Sequence, residues 1–183
     1  MSLNNTFMEL AEKFAENSTC LKRQVGAVLV KDEMIISYGY NRTLIGITPC
    51  NQVFRMHIPE TGEINFNHGQ IPIDGFNYER TTHHDFSEKY EITAVQDCLS
   101  AAARNIVSTA GATIYVTTAP SVDCAKLIIA SDIKTVMFKD IYKDTIGLEL
   151  LEELNIDLHQ YKDDDDGKGF YTWHSDKYMK RYL

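Results

Sequence analysis

The sequence predicts an α/β fold, a three-layer α/β/α sandwich built on a central mixed sheet of about five strands. Two observations support this prediction. Segments with the apolar pattern of buried strands alternate along the chain with segments of helical spacing. In addition, a chain of 183 residues with 44% hydrophobic and 24% charged residues suits one domain with a full hydrophobic core.

The first half of the chain predicts one helix and two strands. Residues 6–17 predict a helix, because apolar residues such as Phe7, Leu10 and Phe14 recur at helical spacing. Residues 25–31 and 34–40 predict two strands joined by a tight turn. Residues 42–89 then form a long polar segment with little periodicity. Because such a stretch is uncommon inside a compact domain, we expect a functional insertion that something holds in place.

The second half alternates regularly up to residue 161. The predicted elements are a helix at 90–105, a strand at 112–117, a helix at 121–131, a strand at 135–138, a helix at 145–155 and a strand at 156–161. We therefore expect one domain over residues 1–162 and a separate tail over residues 163–183. The tail opens with four aspartates, for which we expect a solvated, self-repelling segment. Its later aromatic residues suggest docking on the body or on another subunit.

The overall charge and the cysteine content limit the classes of partner. The net charge of −8 argues against sequence-independent binding to nucleic acid, which depends on a basic surface. No apolar run is long enough to cross a bilayer, and the N-terminus lacks a secretory pattern. We therefore expect a cytoplasmic protein without a membrane partner. Its four cysteines are then expected to be metal ligands or buried thiols.

Two stretches follow the layout of the zinc deaminase signature, H-x-E and then P-C-x-x-C, but lack its chemical groups. In residues 91–99, Thr93 stands in place of the His and Val95 in place of the Glu. In residues 115–126, Ser121 stands in place of the first Cys, and only Cys124 remains.

With these stretches the chain resembles the dCMP deaminases, in particular those of the T-even bacteriophage type, over residues 7–161. Further segments similar to that family occur in the same order at residues 20–31, 35–41, 99–105 and 111–117. The resemblance implies a cytidine-deaminase-like fold. It also implies a homo-oligomer, a hexamer assembled through the helices near Arg104 and Ala125. If the chain is phage-encoded, its location is the host cytoplasm.

The resemblance implies a second, non-catalytic zinc with ligands at Cys20, Cys50, His83 and Glu91. All four are residue types that zinc accepts. A closed tetrahedral site would anchor the insertion at residues 42–89 and offset its ordering entropy. His84 is an alternative to its neighbour as a ligand. The alternative interpretation is two unrelated free cysteines and a surface histidine.

The substitutions in the signature bear directly on the reaction. In zinc deaminases the metal lowers the pKa of a bound water, the hydroxide attacks C4 of cytosine, and the glutamate shuttles the proton. Thr93 and Ser121 offer only neutral hydroxyls, and Val95 cannot transfer a proton. We therefore expect no catalytic residue and no catalytic zinc. Asp97, four residues after Thr93 on the same helix face, could supply a replacement ligand.

A nucleotide-shaped pocket is expected to remain. By resemblance, Asn41 contacts the sugar and base, Ala94 supplies a backbone amide, and Tyr115 lies on the strand that flanks the pocket. Arg42 replaces a glycine of the family's turn and could contact a phosphate. Arg104 resembles an arginine near the family's subunit interface.

Three functions therefore compete. The first is a catalytically inactive dCMP-deaminase-like protein that binds a nucleotide or acts as a partner or decoy subunit, with a retained structural zinc. The second is an active zinc-dependent deaminase that converts dCMP to dUMP with unusual ligands. The third is a purely structural, oligomeric interaction protein.

Overall fold

The computed structural model describes residues 2–57, 65–68, 82–141, 144–164 and 167–175. Its helices are α1 (Leu3–Ala15), α2 (Cys50–Val53), α3 (His83–Tyr90), α4 (Ala94–Arg104), α5 (Val122–Ala130) and α6 (Ile146–Glu153). Its strands are β1 (Gly26–Lys31), β2 (Met34–Tyr40), β3 (Arg42–Thr43), β4 (Phe54–His57), β5 (Asn65–His68), β6 (Glu91–Ile92), β7 (Thr113–Thr118), β8 (Thr135–Asp140), β9 (Asp157–Asp164) and β10 (Gly167–Thr172).

The central sheet is mixed, as predicted, but it has six strands in the order β10-β9-β8-β7-β1-β2. Strands β7, β8 and β9 run parallel to one another. The pairs β1–β2, β1–β7 and β9–β10 are antiparallel. The tight turn between β1 and β2 places Asp32 and Glu33 at positive φ, a geometry that suits a two-residue hairpin.

Helices cover both faces of this sheet, which confirms the three layers. On one face, α1 packs against a cluster that includes Val28, Tyr115 and Met137. On the other face, α4, α5 and α6 pack against a larger cluster that includes Ala27 and Ile114. Because side chains alternate along a strand, neighbouring residues of β1, β7 and β8 belong to opposite layers.

The close approach of α4 to the sheet depends on Gly39. A Cβ atom at this position would lie 2.3 Å from the backbone nitrogen of Cys98. Ser37, on the same strand, donates a hydrogen bond to the Cys98 carbonyl at 2.7 Å. The N-terminal end of α4 is therefore held firmly beside the C-terminal end of β2.

The tail does not begin as a separate segment at residue 163. Strand β9 runs across that point to Asp164, and β10 pairs with it from Gly167 to Thr172. Phe170 lies 5.1 Å from the ring of Tyr161 between centroids, and Trp173 packs edge-on against Phe138. These aromatic contacts anchor the hairpin. The first two aspartates of the run, Asp163 and Asp164, belong to β9. Residues 176–183 lie outside the described residues.

The predicted insertion at residues 42–89 contains regular structure. The two residues of β3 pair with β6, β4 pairs with β5, and α2 and α3 lie within the segment. Helix α3 begins with a capping box in which Thr82 and Asp85 bond each other's backbone nitrogens. Residues 58–64 and 69–81 of the insertion lie outside the described residues. Within the described ranges, every helix falls short of the length and apolar character needed to cross a bilayer.

Candidate functional site

Four side chains from distant parts of the chain meet at one point beside the sheet. The ligand atoms of Cys20, Cys50, His83 and Glu91 all lie within 4.8 Å of one another. His83 Nε2 lies 3.3 Å from Cys50 Sγ and 3.6 Å from Cys20 Sγ. In a tetrahedral site with Zn–S near 2.3 Å and Zn–N near 2.0 Å, sulfur and nitrogen ligands would be about 3.5 Å apart. The observed spacing therefore fits a zinc ion.

Local structure helps to hold this group in place. The backbone nitrogen of Cys50 donates to Thr43 Oγ1 at 3.2 Å, and Thr43 pairs with Glu91 between β3 and β6. His83 is the first residue of α3, and Glu91 follows the last residue of that helix. The insertion thus folds back onto the chain through β3, α2 and α3.

The electrostatics of this group also favour a cation. A hydrogen bond with Cys50 lowers the pKa of the Cys20 thiol, and the same bond raises the pKa of Cys50. Burial raises the pKa of Glu91. Glu91 Oε2 accepts from Ser87 Oγ at 2.7 Å, whereas Oε1 is buried with no hydrogen-bond donor among the described residues. A divalent cation would satisfy this oxygen and stabilise the thiolates.

An apolar shell surrounds the group. Val53, Phe54 and Phe86 are fully buried against the two cysteines. The ring of Phe54 lies 5.4 Å from that of His83 between centroids. His84 is exposed and is not part of the group, so the geometry selects His83 over its neighbour.

A cavity of about 500 Å³ opens next to the group formed by Cys20, Cys50, His83 and Glu91. Cys20, His83 and Glu91 line one side of it. The four degenerate signature residues line another side, namely Thr93, Val95, Ser121 and Cys124. The helix N-termini of α4 and α5 meet at this side, and their unpaired backbone N–H groups favour anionic or polar ligands.

Two of the signature residues have become helix caps. Thr93 is the N-cap of α4, where its hydroxyl accepts from the backbone nitrogen of Gln96 at 3.2 Å. Gln96 returns a bond by accepting from the Thr93 nitrogen at 2.9 Å, which completes a capping box. Ser121 caps α5 in a similar way by accepting from the Cys124 nitrogen at 3.4 Å.

These residues do not fit a catalytic metal. Thr93 Oγ1 lies 3.1 Å from Cys124 Sγ, so the surviving thiol contacts a neutral hydroxyl. Val95 is 2% exposed and fills the position where the signature has its acid. Zinc in proteins is held by thiolates, imidazoles and carboxylates, and here a single thiol is such a group. Among the described residues, the group of three or more that could hold a metal is the one around Cys20 and Cys50.

Asn41 and Ala94 lie at the cavity, as the sequence indicates. The Asn41 side chain accepts from the Val25 nitrogen at 2.7 Å and donates to the Arg23 carbonyl at 2.9 Å. It therefore also fixes the loop that forms one wall. Ala94 is buried at the first turn of α4.

The predicted position of Tyr115 at the pocket is wrong. Its side chain lies on the opposite face of the sheet, 5.3 Å from the ring of Phe7 between centroids. Its hydroxyl donates to Asn4 Oδ1 at 2.7 Å. Because side chains alternate along β7, the residues that reach the cavity are Val116 and Thr118.

Arg42, Asp97 and Arg104 lie away from this cavity, around a second one of about 550 Å³ beside β2. Arg42 donates from Nη2 to Asp97 Oδ1 at 2.7 Å, so its guanidinium is already paired with a carboxylate. The predicted role of Arg42 as a phosphate contact therefore does not apply to the first cavity. Asp97 faces the same ion pair, and the proposal that it replaces a lost zinc ligand is wrong.

Comparison with known proteins identifies the family of the chain. The family model for the cytidine and deoxycytidylate deaminase zinc-binding region matches residues 1–140. The chain belongs to the cytidine and deoxycytidylate deaminase family. The group around Cys20 and Cys50 and the altered signature positions therefore belong to a member of a family whose model describes a zinc-binding region.

Individual proteins are similar over most of the chain. Deoxycytidylate deaminase of Enterobacteria phage T2 is 32% identical over 153 residues, which cover 75% of this chain and 80% of that protein. ComE operon protein 2 of Bacillus subtilis is 31% identical over 166 residues, which cover 90% of this chain and 74% of that protein. The solved dCMP deaminase of cyanophage S-TIM5, in complex with dCMP and dUMP, aligns with a TM-score of 0.65 and 25% identity over 87% of this chain and 98% of that one.

Some functional features of this deaminase-family chain were not predicted from the sequence. The caps at Thr93 and Thr82 have a visible signal, since Gln96 and Asp85 each follow three residues later. The Arg42–Asp97 pair has no such signal, because its partners are 55 residues apart. The contact between Thr93 and Cys124 joins residues 31 positions apart and likewise has no signal in the sequence.

Proposed function

We propose that this chain is a member of the dCMP deaminase family that binds a nucleotide and does not deaminate it. The observation that carries the proposal is the use of both signature positions as helix caps, with Thr93 Oγ1 3.1 Å from Cys124 Sγ. The metal ligands are replaced by two hydroxyls, which accept hydrogen bonds from backbone nitrogens at the N-termini of α4 and α5.

The missing groups account for the loss of both parts of the reaction. Without three suitable ligands, no zinc would lower the pKa of a water at the base. Val95 has no group that could move a proton to or from the leaving amine. General acid–base catalysis alone contributes about 10² to 10⁴ in rate, and the metal-activated water contributes further. Together these losses leave no route to hydrolytic deamination.

The nucleotide-binding half of the proposal rests on what remains at the cavity. Its volume of about 500 Å³ lies within the usual range of small-molecule sites. Asn41, Ala94 and the two helix N-termini are independent of the catalytic zinc. The similar cyanophage deaminase holds dCMP and dUMP, which makes a pyrimidine nucleotide the first candidate ligand.

The group around Cys20 and Cys50 supports a structural zinc as the retained cofactor. It joins the loop between α1 and β1, the start of α2 and both ends of α3, so an ion there would fix the insertion on the domain. Its four protein ligands would leave no open position for water, as is usual for structural zinc. In this role zinc contributes to folding and not to the reaction.

A direct assay tests the proposal. Purified protein is incubated with dCMP, dCTP or cytidine, and ammonia and the uracil product are measured over many turnovers, with metal content determined in parallel. We expect no product and one zinc per chain. Steady turnover that Cys124→Ala abolishes would instead establish the active-enzyme alternative.

The interaction-protein alternative has its own support in exposed apolar residues. Ile106 is 94% exposed, and Met34, at the start of the edge strand β2, is 65% exposed. Arg104 and Ala101 border the second cavity beside this strand.

A homo-oligomer, and a hexamer in particular, remains part of the proposal. Light scattering at micromolar concentration measures its mass, and a monomer would contradict it.

A further inference from the structure

The wall of the first cavity presents uncharged groups where an active deaminase would have charged ones. Thr93 and Ser121 are exposed at the cavity, and the buried side chain of Cys124 also lines it, with its sulfur 3.1 Å from the Thr93 hydroxyl. Val95 adds an apolar surface beside them. A ligand edge that reaches this wall therefore meets a hydroxyl that can either donate or accept.

The hydrogen bonds of Thr93 leave its hydroxyl two arrangements. One lone pair of Oγ1 accepts from the Gln96 nitrogen at 3.2 Å in both of them. If the hydroxyl donates to Cys124 Sγ, 3.1 Å away, its second lone pair can accept from a ligand. If the thiol donates to Oγ1 instead, the hydroxyl hydrogen can point to a ligand. Both arrangements keep every partner of Thr93 satisfied, and simple rotation of two side-chain hydrogens converts one into the other.

In zinc deaminases the metal-bound hydroxide attacks C4 of the base. Thr93 stands at a metal-ligand position of that signature and lines the cavity, so a pyrimidine held in the same way would bring its C4 substituent to this hydroxyl. Cytosine carries an amino group at C4, which donates, and uracil carries an oxo group there, which accepts. A site with a fixed donor or acceptor rejects the mismatched base, because a buried polar group loses its partner. A hydroxyl that can reverse its role does not impose that penalty.

We propose that the Thr93–Cys124 pair makes this cavity indifferent to the C4 substituent, so that it binds 4-amino and 4-oxo pyrimidine nucleotides with nearly equal affinity. The inference rests on the proposed function, since it names the ligand class of the same cavity. Thr93 is the residue that would contact the C4 substituent, and its reversible hydroxyl removes the discrimination between the two bases. The ligand class is a pyrimidine nucleoside monophosphate of either kind.

Titration calorimetry with dCMP and dUMP tests the inference in the wild-type protein and in Thr93→Asp. Aspartate keeps the N-cap, because it is as good a cap as threonine, but at neutral pH it only accepts hydrogen bonds. We expect dissociation constants for the two nucleotides within about threefold in the wild type, and at least about tenfold preference for dCMP in the variant. The ratio is used because the added charge alters the affinity for both nucleotides.

Ser2→Asp is the matched control. Ser2 caps α1 on the other face of the sheet and also accepts from a backbone nitrogen, that of Asn5 at 3.3 Å. This variant adds the same charge at the same kind of cap, and the ratio should stay within about threefold.

Each outcome decides a different point. If neither nucleotide binds, the nucleotide-binding function itself fails and the inference fails with it. If the wild type prefers one nucleotide by more than about threefold, the function stands and the inference is overturned. If the wild-type affinities match but Thr93→Asp leaves the ratio unchanged, Thr93 does not read the C4 substituent, and the inference is likewise overturned.

Discussion

Arg42 and Asp97 form an ion pair in which Nε and Nη2 of the guanidinium donate to the same carboxylate oxygen, at 3.1 and 2.7 Å. The other oxygen accepts from the backbone nitrogen of Tyr40 at 3.3 Å. The Asp97 side chain is 8% exposed. The pair therefore ties the end of β2 and the start of β3 to the first turn of α4, which contains Val95 and follows the N-cap Thr93.

We predict that Arg42→Met lowers the free energy of unfolding by about 1–3 kcal/mol, because it leaves Asp97 buried without its main partner. The double variant Arg42→Met/Asp97→Asn should recover part of this loss, since it no longer buries a charge. Chemical denaturation of the four proteins in the cycle measures the coupling.

Lys126→Met is the control for that cycle. Lys126 pairs with Asp123 at 3.1 Å, but both side chains are well exposed, at 63% and 82%. Surface pairs of this kind contribute between about 0 and 1 kcal/mol. If Arg42→Met and Lys126→Met lose the same free energy of unfolding, burial of Asp97 is not the cause of the loss.

Cys50→Ser should release the zinc that we propose at the group around Cys20 and Cys50. Serine is a poor zinc ligand, and the insertion would lose the anchor that joins α2 to α3. We expect zinc content to fall from one equivalent toward none, with a lower melting temperature. Cys98→Ser is the control, because Cys98 is also fully buried but lies outside the group. Zinc retained in Cys50→Ser would contradict the ligand assignment.

Restoring the signature should restore the second metal. In the triple variant Thr93→His/Val95→Glu/Ser121→Cys, we expect two zinc equivalents per chain, because Thr93 Oγ1 and Cys124 Sγ already lie 3.1 Å apart. Histidine and cysteine are poorer caps than threonine and serine, so the chelated variant should be about 1–2 kcal/mol less stable than the wild type. Metal analysis and denaturation measure both effects. A single zinc in the variant would mean that the cavity has lost the ligand geometry itself.

The stability of the protein should depend on pH through Glu152, which bonds residues at the C-terminal end of the described chain. Its Oε1 lies 3.0 Å from His174 Nδ1, and Oε2 accepts from the Ser175 nitrogen at 3.1 Å. Burial alone would raise the pKa of Glu152, but the hydrogen bonds from Ser175 and His174 outweigh it and hold the pKa below its ordinary value.

Because the folded-state pKa of Glu152 is lowered, its stabilisation is present above the ordinary carboxylate pKa of about 4.3 and is lost as the pH falls through the folded value. Glu152→Gln should cost about 1 kcal/mol at neutral pH, and its difference from the wild type should shrink in acid. Denaturation across this pH range measures the change. Glu153→Gln, at an exposed neighbour, is the control. A loss that stays constant with pH would show that the carboxylate charge is not involved.

Several features of the site could be predicted because they depend on residue type at fixed spacing. The alternation of strands and helices gave the layers, and Thr93, Val95 and Ser121 by themselves indicate which chemical groups are missing. The ligand set of Cys20, Cys50, His83 and Glu91 followed from a family pattern that the structure brings together. Strand β10 and α3 were missed, because their signals are short and lie in polar segments.

The sequence by itself determined the fold class, the family and the replacement of three signature residues by Thr93, Val95 and Ser121. Only the tertiary structure decided which way Tyr115 faces, since β7 is buried on both faces and burial alone does not distinguish them. It also decided that Asp97 pairs with Arg42 and that Thr93 meets Cys124. The physical reason is the same in each case. Residue identity sets which bonds a side chain can form, whereas the folded path of the chain sets which partner it reaches.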